Sequence, residues 1–194
     1  GTQAMNTNTI GCRNVAIGHN TMYANTEGNC NTALGWKSLQ SNTTADDNVA
    51  VGICSLQANT TGGSNTSVGA FSMKLNTTGA ANVAVGTQAL NVNTEGASNT
   101  AMGYNALCNN TTASNNTAVG REALTTNTTG AGNTSMGYRA LRNNTTAGTN
   151  TAIGFQSLKN NTTALSNTAI GYNTMPSTTT GATNIAIGND AMTE

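Results

Sequence analysis

A five-residue motif, Asn-Thr-Ala-Ile-Gly, recurs along the chain every 17 residues without a single insertion or deletion. The motif is complete at Asn150–Gly154 and at Asn167–Gly171, and variants of it begin at each repeat from Asn14 to Asn184. A period this strict is typical of an array of stacked coils, in which each repeat contacts mainly its neighbours. We number positions within the repeat from this Asn, and we term the residues at one position in successive repeats a column.

The composition limits the classes of partner. The chain has 194 residues, a formal net charge of zero and only 7% charged residues. This balance gives no electrostatic footprint for nucleic acid, and no apolar run is long enough to cross a bilayer, so we expect neither nucleic-acid binding nor membrane insertion. The repeat covers residues 1–194 as one array that starts and stops within a repeat, and we expect it to be a segment of a longer fibre.

Two columns carry the large apolar residues. Position 9 is always Leu or Met, and position 4 is always Ile, Leu, Val or Met, which predicts that both columns form the core. Positions 3 and 8 hold Ala, Ser or Thr, and we expect these small residues to mark contact faces between subunits. Charged residues occur only in columns 6, 7, 10, 11, 14, 16 and 17, and these columns are predicted to face solvent.

This spacing does not follow the helical period, and Gly, Asn and Thr are poor helix formers. The sequence instead predicts an all-β, parallel β-solenoid (β-roll) of about 11 coils of 17 residues. One strand is expected at positions 1–4, a turn at the invariant Gly of position 5, and a second strand at positions 8–12. The Asn columns at positions 1 and 12 are predicted to form amide ladders between coils. The invariant Gly indicates a positive φ or a site with no room for a Cβ.

The core of each coil is thin, since two large apolar side chains must offset the ordering of 17 residues. We therefore expect the chain to form homo-oligomers.

The chemistry-bearing residues are sparse. His19 is the single histidine and has no recurring acidic or Cys column beside it, so we expect no enzyme activity, no metal site and no cofactor. Cys12 and Cys30 fall in adjoining columns of neighbouring coils, where a disulfide is geometrically feasible.

The aromatic column at position 6 is the one candidate binding site, and its rings could hold the faces of sugars. Its alternative role is to cover the turn or to pack between subunits. The column consists of Trp36, Tyr104, Tyr138, Phe155 and Tyr172.

The Asn-x-Ala-[Ile/Val]-Gly signature, with Ala-Leu three to four residues after the Gly, resembles the head repeats of trimeric autotransporter adhesins. It also resembles the Asn-Thr-Ala-x-Gly arrays of phage and large-virus tail-fibre-like proteins. The resemblance implies a left-handed parallel β-roll, a homotrimer, and a fibre at the surface of a virion or cell that attaches to a glycan or receptor. Adhesin heads commonly use shorter repeats than this chain.

The leading hypothesis is thus a structural, adhesive fibre segment that is extracellular or on a virion surface. One alternative is a self-assembling extracellular filament subunit with no receptor binding. Another is an ice-binding solenoid, although no Thr-x-Thr pair repeats on a flat strand.

Overall fold

The computed structural model, which describes residues 1–193, is a parallel β-solenoid with 17-residue coils, as predicted. Each coil contributes one strand of three residues at positions 2–4, and neighbouring strands pair in register so that identical positions lie side by side. The sheet has eleven strands in sequence order. They are β1 (Val15–Ile17), β2 (Thr32–Leu34), β3 (Val49–Val51), β4 (Thr66–Val68), β5 (Val83–Val85), β6 (Thr100–Met102), β7 (Thr117–Val119), β8 (Thr134–Met136), β9 (Thr151–Ile153), β10 (Thr168–Ile170) and β11 (Ile185–Ile187).

The prediction of a second strand at positions 8–12 is wrong. This segment is a succession of turns, although its backbone still bonds to the next coil, with Met22 N–H donating to the Ser38 carbonyl at 3.0 Å and Ala24 N–H to that of Gln40 at 2.9 Å. Position 9 within this segment and position 7 just before it have positive φ, for example 49° at Met22. Because an extended strand needs negative φ, the segment makes a hydrogen-bonded wall without being a β-strand.

Left-handed backbone at large apolar residues is the least expected feature of the fold. Every described residue of position 9 has φ between 46° and 53°, including Leu107 at 49°. Such a conformation costs a non-glycine residue about 1–2 kcal/mol. It persists here because hydrogen bonds to the neighbouring coils hold the wall on both sides.

Only one of the two predicted core columns is inside. Position 9 is fully buried in ten successive coils, so that prediction is confirmed. The prediction that position 4 is core is wrong, since Ile17, Leu34 and Met102 are 58%, 44% and 42% exposed. Alternate residues of a strand face opposite sides, and here position 3 faces inward, with Ala33 and its equivalents buried.

The small residues at positions 3 and 8 face each other across the interior of the coil. The hydroxyl of Ser55 at position 8 donates to Ser67 Oγ at position 3, 2.8 Å away. Both columns are buried, so the prediction that they form contact faces between subunits is wrong. The two walls approach so closely that only Ala, Ser or Thr fits between them beside the Leu or Met of position 9.

The invariant Gly of position 5 satisfies both parts of its prediction. Gly103 has a φ of 131°, a region that residues with a side chain rarely adopt. A Cβ at this position would also lie 2.7 Å from the carbonyl oxygen of Gly120 in the next coil.

Buried amide ladders join the coils, as the Asn columns predicted. At position 12, Asn110 Nδ2 donates to Asn93 Oδ1 at 2.8 Å and to the Ala113 carbonyl at 2.9 Å. At position 1, Asn99 Oδ1 accepts from the backbone N–H of Asn116 at 3.0 Å. The position-12 amides therefore bond along the rod and also close a turn, and the position-1 amides join one coil to the next.

The outward orientation of position 4 can be tested by comparing Leu107→Ala at position 9 with Met102→Ala at position 4. Leu107 is fully buried and Met102 is 42% exposed, so the first change should cost about 2–5 kcal/mol of unfolding free energy and the second about 0.5 kcal/mol or less. The measurement is chemical denaturation at a concentration where the chain is monomeric. Equal losses would show that position 4 is also core.

Candidate functional site

The aromatic column lies on the surface, immediately after the invariant Gly. Trp36, Tyr104 and Tyr172 are 46%, 45% and 53% exposed. The structure brings together Tyr138, Phe155 and Tyr172, which we term the aromatic strip. Their ring centroids are 5.1 Å and 5.0 Å apart, with interplanar angles of 27° and 6°. The other two predicted residues lie outside this strip and four coils from each other, with His19 and Ile53 next to Trp36 in the column and Thr87 and Arg121 next to Tyr104.

The aromatic strip presents ring edges rather than ring faces. Phe155 has Tyr138 stacked on one side and Tyr172 on the other, so both of its faces are covered. Stacked rings expose their partially positive edges, and the two tyrosines add hydroxyl groups. The arrangement can therefore make apolar contacts and hydrogen bonds, whereas Phe155 offers no free ring face for the expected stacking on sugars.

Cations cap the rings of this edge of the rod. Lys37 Nζ lies 4.6 Å from the centroid of the Trp36 ring, and Arg139 Cζ lies 4.8 Å from that of Tyr138. Arg121 makes the same kind of contact with Tyr104 at 5.6 Å. The sequence carries a signal for two of these pairs, since Lys37 and Arg139 directly follow the ring that they cover.

The two edges of the coil differ in charge. Six of the seven Lys and Arg residues occupy positions 6–10, beside the aromatic column. Four of the seven acidic residues, Glu27, Asp46, Asp47 and Glu95, occupy positions 14–17 on the opposite edge. The zero net charge of the whole chain conceals this separation.

Glu122 sits at the centre of the basic edge. Its carboxylate accepts a hydrogen bond from Arg139 Nε at 2.7 Å, and it lies 3.1 Å from Arg142 Nε and 3.5 Å from Arg121 Nε. Glu122 is only 8% exposed, so the prediction that all charged columns face solvent is wrong for this residue. The hydrogen bond from Arg139 holds the pKa of Glu122 below its ordinary value, while burial acts in the opposite direction.

The outward side of the sheet is a second surface that sequence reasoning missed, and we term columns 2 and 4 the outer sheet face. Column 4 is exposed or half-buried in all eleven coils. Column 2 is Thr or Val, with Ile185 once, and most of its residues are half-buried. The face thus carries a continuous line of Ile, Leu, Val and Met side chains along the rod.

Cys12 and Cys30 lie on neighbouring coils as free, exposed thiols. Cys30 N–H donates to the Cys12 carbonyl at 3.0 Å, and the Cys12 thiol donates to Asn29 Oδ1 at 3.1 Å. A disulfide between them stays a prediction.

Residues 1–193 contain no detected pocket and no group of three His, Cys, Asp or Glu side chains that could hold a metal ion. The same residues form no helix with the length and apolar character needed to span a membrane. In comparisons with protein-family models, curated proteins and solved structures, nothing matches this chain.

The Glu122–Arg139 pair predicts a pH dependence of stability. A carboxyl with a lower pKa in the folded state contributes stability above its unfolded pKa, and this contribution is lost as the pH falls through the folded pKa. The stability advantage of the wild type over Glu122→Gln should hold from neutral pH down to 4.5 and shrink below it. Denaturant titrations across this pH range measure it. In the Arg139→Gln background the advantage should be smaller, and an undiminished advantage would contradict the assignment to this pair.

Proposed function

We propose that this chain is a segment of a structural, adhesive fibre exposed on a virion or cell surface. The observation that carries the proposal is the unbroken register of the eleven paired strands and their amide ladders. This register makes the molecule a continuous rod, which suits a role in spanning distance. The resemblance of its repeat to adhesin heads and tail-fibre arrays supports the same role.

The fibre is a homo-oligomer in this proposal, and a trimer is favoured by the resemblance. The outer sheet face supports self-association, since column 4 is an apolar line that runs the length of the rod. Continuous apolar surfaces of this kind usually mark interaction sites on soluble proteins. The occupant proposed is a second copy of the chain, because a partner with the same repeat can match the line coil by coil.

The adhesive part of the proposal rests on the aromatic column, whose exposed rings line the basic edge. The ligand would be a cell-surface glycan or receptor. A filament with no receptor binding is the alternative, and it would use the outer sheet face without using the aromatic column.

Two sets of variants separate these functions. Replacing Met102, Met136 and Ile153 by Lys puts charges on the outer sheet face and should reduce the mass measured by analytical ultracentrifugation to that of a monomer. Replacing the aromatic strip, Tyr138, Phe155 and Tyr172, by Ser should preserve the mass and weaken binding to host cells or to a glycan array.

The matched control replaces the exposed Thr112, Thr129 and Thr146 of column 14 by Ala, which should change neither measurement. If the Lys variant keeps the mass of the wild type, the outer sheet face is not the interface. If the aromatic variant dissociates into monomers, the strip is a subunit contact and the adhesive proposal fails.

A further inference from the structure

We infer that the basic edge around Glu122 binds an acidic polysaccharide through its sulfate or carboxylate groups. We term Arg121, Arg139, Arg142 and Lys159 the basic cluster. The inference rests on the proposed function, because it names the ligand class that the aromatic edge of the fibre would recognise. It starts from an excess of positive charge, since three arginines contact one carboxylate, that of Glu122, and Lys159 follows Arg142 at the same position of the next coil.

The three guanidinium groups of the cluster are held in place by Glu122 and still have unused N–H donors. All three approach Glu122 through Nε, and no terminal nitrogen of the three has a hydrogen-bond acceptor among residues 1–193. The Nε of Arg142 is itself buried and not aligned for a hydrogen bond, although it lies 3.1 Å from Glu122 Oε2. A guanidinium with free terminal nitrogens is suited to bidentate recognition of carboxylate or sulfate.

Two aromatic rings further restrict these groups. Tyr138 packs against the Arg139 guanidinium at 4.8 Å and Tyr104 against that of Arg121 at 5.6 Å. Side chains that are already fixed lose less conformational entropy when a ligand binds. Glu122 and the rings therefore preorganise the basic cluster for an anion.

The cations of the cluster are spaced along the rod in a way that suits an extended polymer. Arg121, Arg139 and Lys159 lie on three successive coils, and stacked coils are about 4.8 Å apart. An extended chain with regularly spaced anionic groups can follow the rod and engage several cations at once, which multiplies the affinity.

The covered rings favour a polysaccharide over a nucleic acid. Proteins that bind single-stranded nucleic acids offer aromatic faces on which bases stack. Here Phe155 is covered by rings on both sides, and cations lie against Tyr104 and Tyr138. The basic edge therefore offers contacts to anions but few free ring faces on which nucleic-acid bases could stack.

The experiment measures binding of the assembled protein to immobilised heparin and polygalacturonate, with dextran as the neutral surface. The test variant combines Arg121→Gln with Lys159→Gln. Arg121 is 61% exposed and makes the longest contact to Glu122, so the fold should be kept, which the thermal midpoint checks. The matched control combines Lys37→Gln with Lys74→Gln, two cations that lie over rings on the same edge but outside the cluster.

The wild type should bind at least one acidic polysaccharide in a salt-sensitive manner and leave dextran unbound. The test variant should bind about tenfold more weakly or worse, while the control stays within about twofold of the wild type. Equal losses in both variants, or equal binding of a dT oligonucleotide and the polysaccharides, would overturn the inference.

Cell binding distinguishes this inference from the proposed function. If the protein adheres to cells but binds neither acidic polysaccharide, the ligand class is wrong and the adhesive function stands. If it binds the polysaccharides through the cluster but adheres to no cell, the inference stands and the adhesive function fails.

Discussion

The buried asparagine amide is the interaction on which the rest of the rod depends. In the middle of the rod, each position-12 amide donates to the amide of the preceding coil and to a carbonyl three residues later in its own turn, as Asn110 does with Asn93 and Ala113. An unpaired polar group in a buried site is costly, so the two bonds fix both the stacking and the path of the chain. Inserting one residue in a coil would break both sets of bonds, which explains the constant repeat of 17 residues. Where Thr178 replaces the Asn, Asn161 Oδ1 is left buried without a partner.

The amide ladders allow the apolar core to be very thin. Position 9 supplies one Leu or Met per coil, and it packs among the small residues of positions 3 and 8. With the walls this close, the larger residues of position 4 have no room inside and lie on the outer sheet face. The same constraint that stabilises one coil therefore creates an apolar surface, and this links the fold of the single chain to the proposed assembly of several chains.

Much of the fold could be predicted from the sequence, because a strict repeat places identical residues beside each other. This reasoning led correctly to the parallel solenoid, the Asn ladders, the special backbone of the invariant Gly and the single aromatic column that contains Tyr138, Phe155 and Tyr172. The orientation of the strand could not be predicted in this way. Alternation allows either positions 2 and 4 or position 3 to face inward, and hydrophobicity favoured the wrong choice. The width of the coil decides between them, and it depends on the backbone at position 9, where Leu gives no sign of positive φ. The burial of Glu122 was missed, although Arg139 occupies the same position 7 in the next coil, because all charged columns were assigned to solvent.

The most direct test of this account compares Asn110→Asp with Asn109→Asp. Both changes replace one amide by a carboxylate at neighbouring residues, but Asn110 is fully buried in the position-12 ladder and Asn109 is exposed. Asn110→Asp removes both amide donors and buries a charge, whereas Asn109→Asp alters only the surface. The account predicts that chemical denaturation at neutral pH shows a loss of about 3 kcal/mol or more for Asn110→Asp and about 0.5 kcal/mol or less for Asn109→Asp. Equal unfolding midpoints for the two variants would show that the buried amides do not hold the coils together.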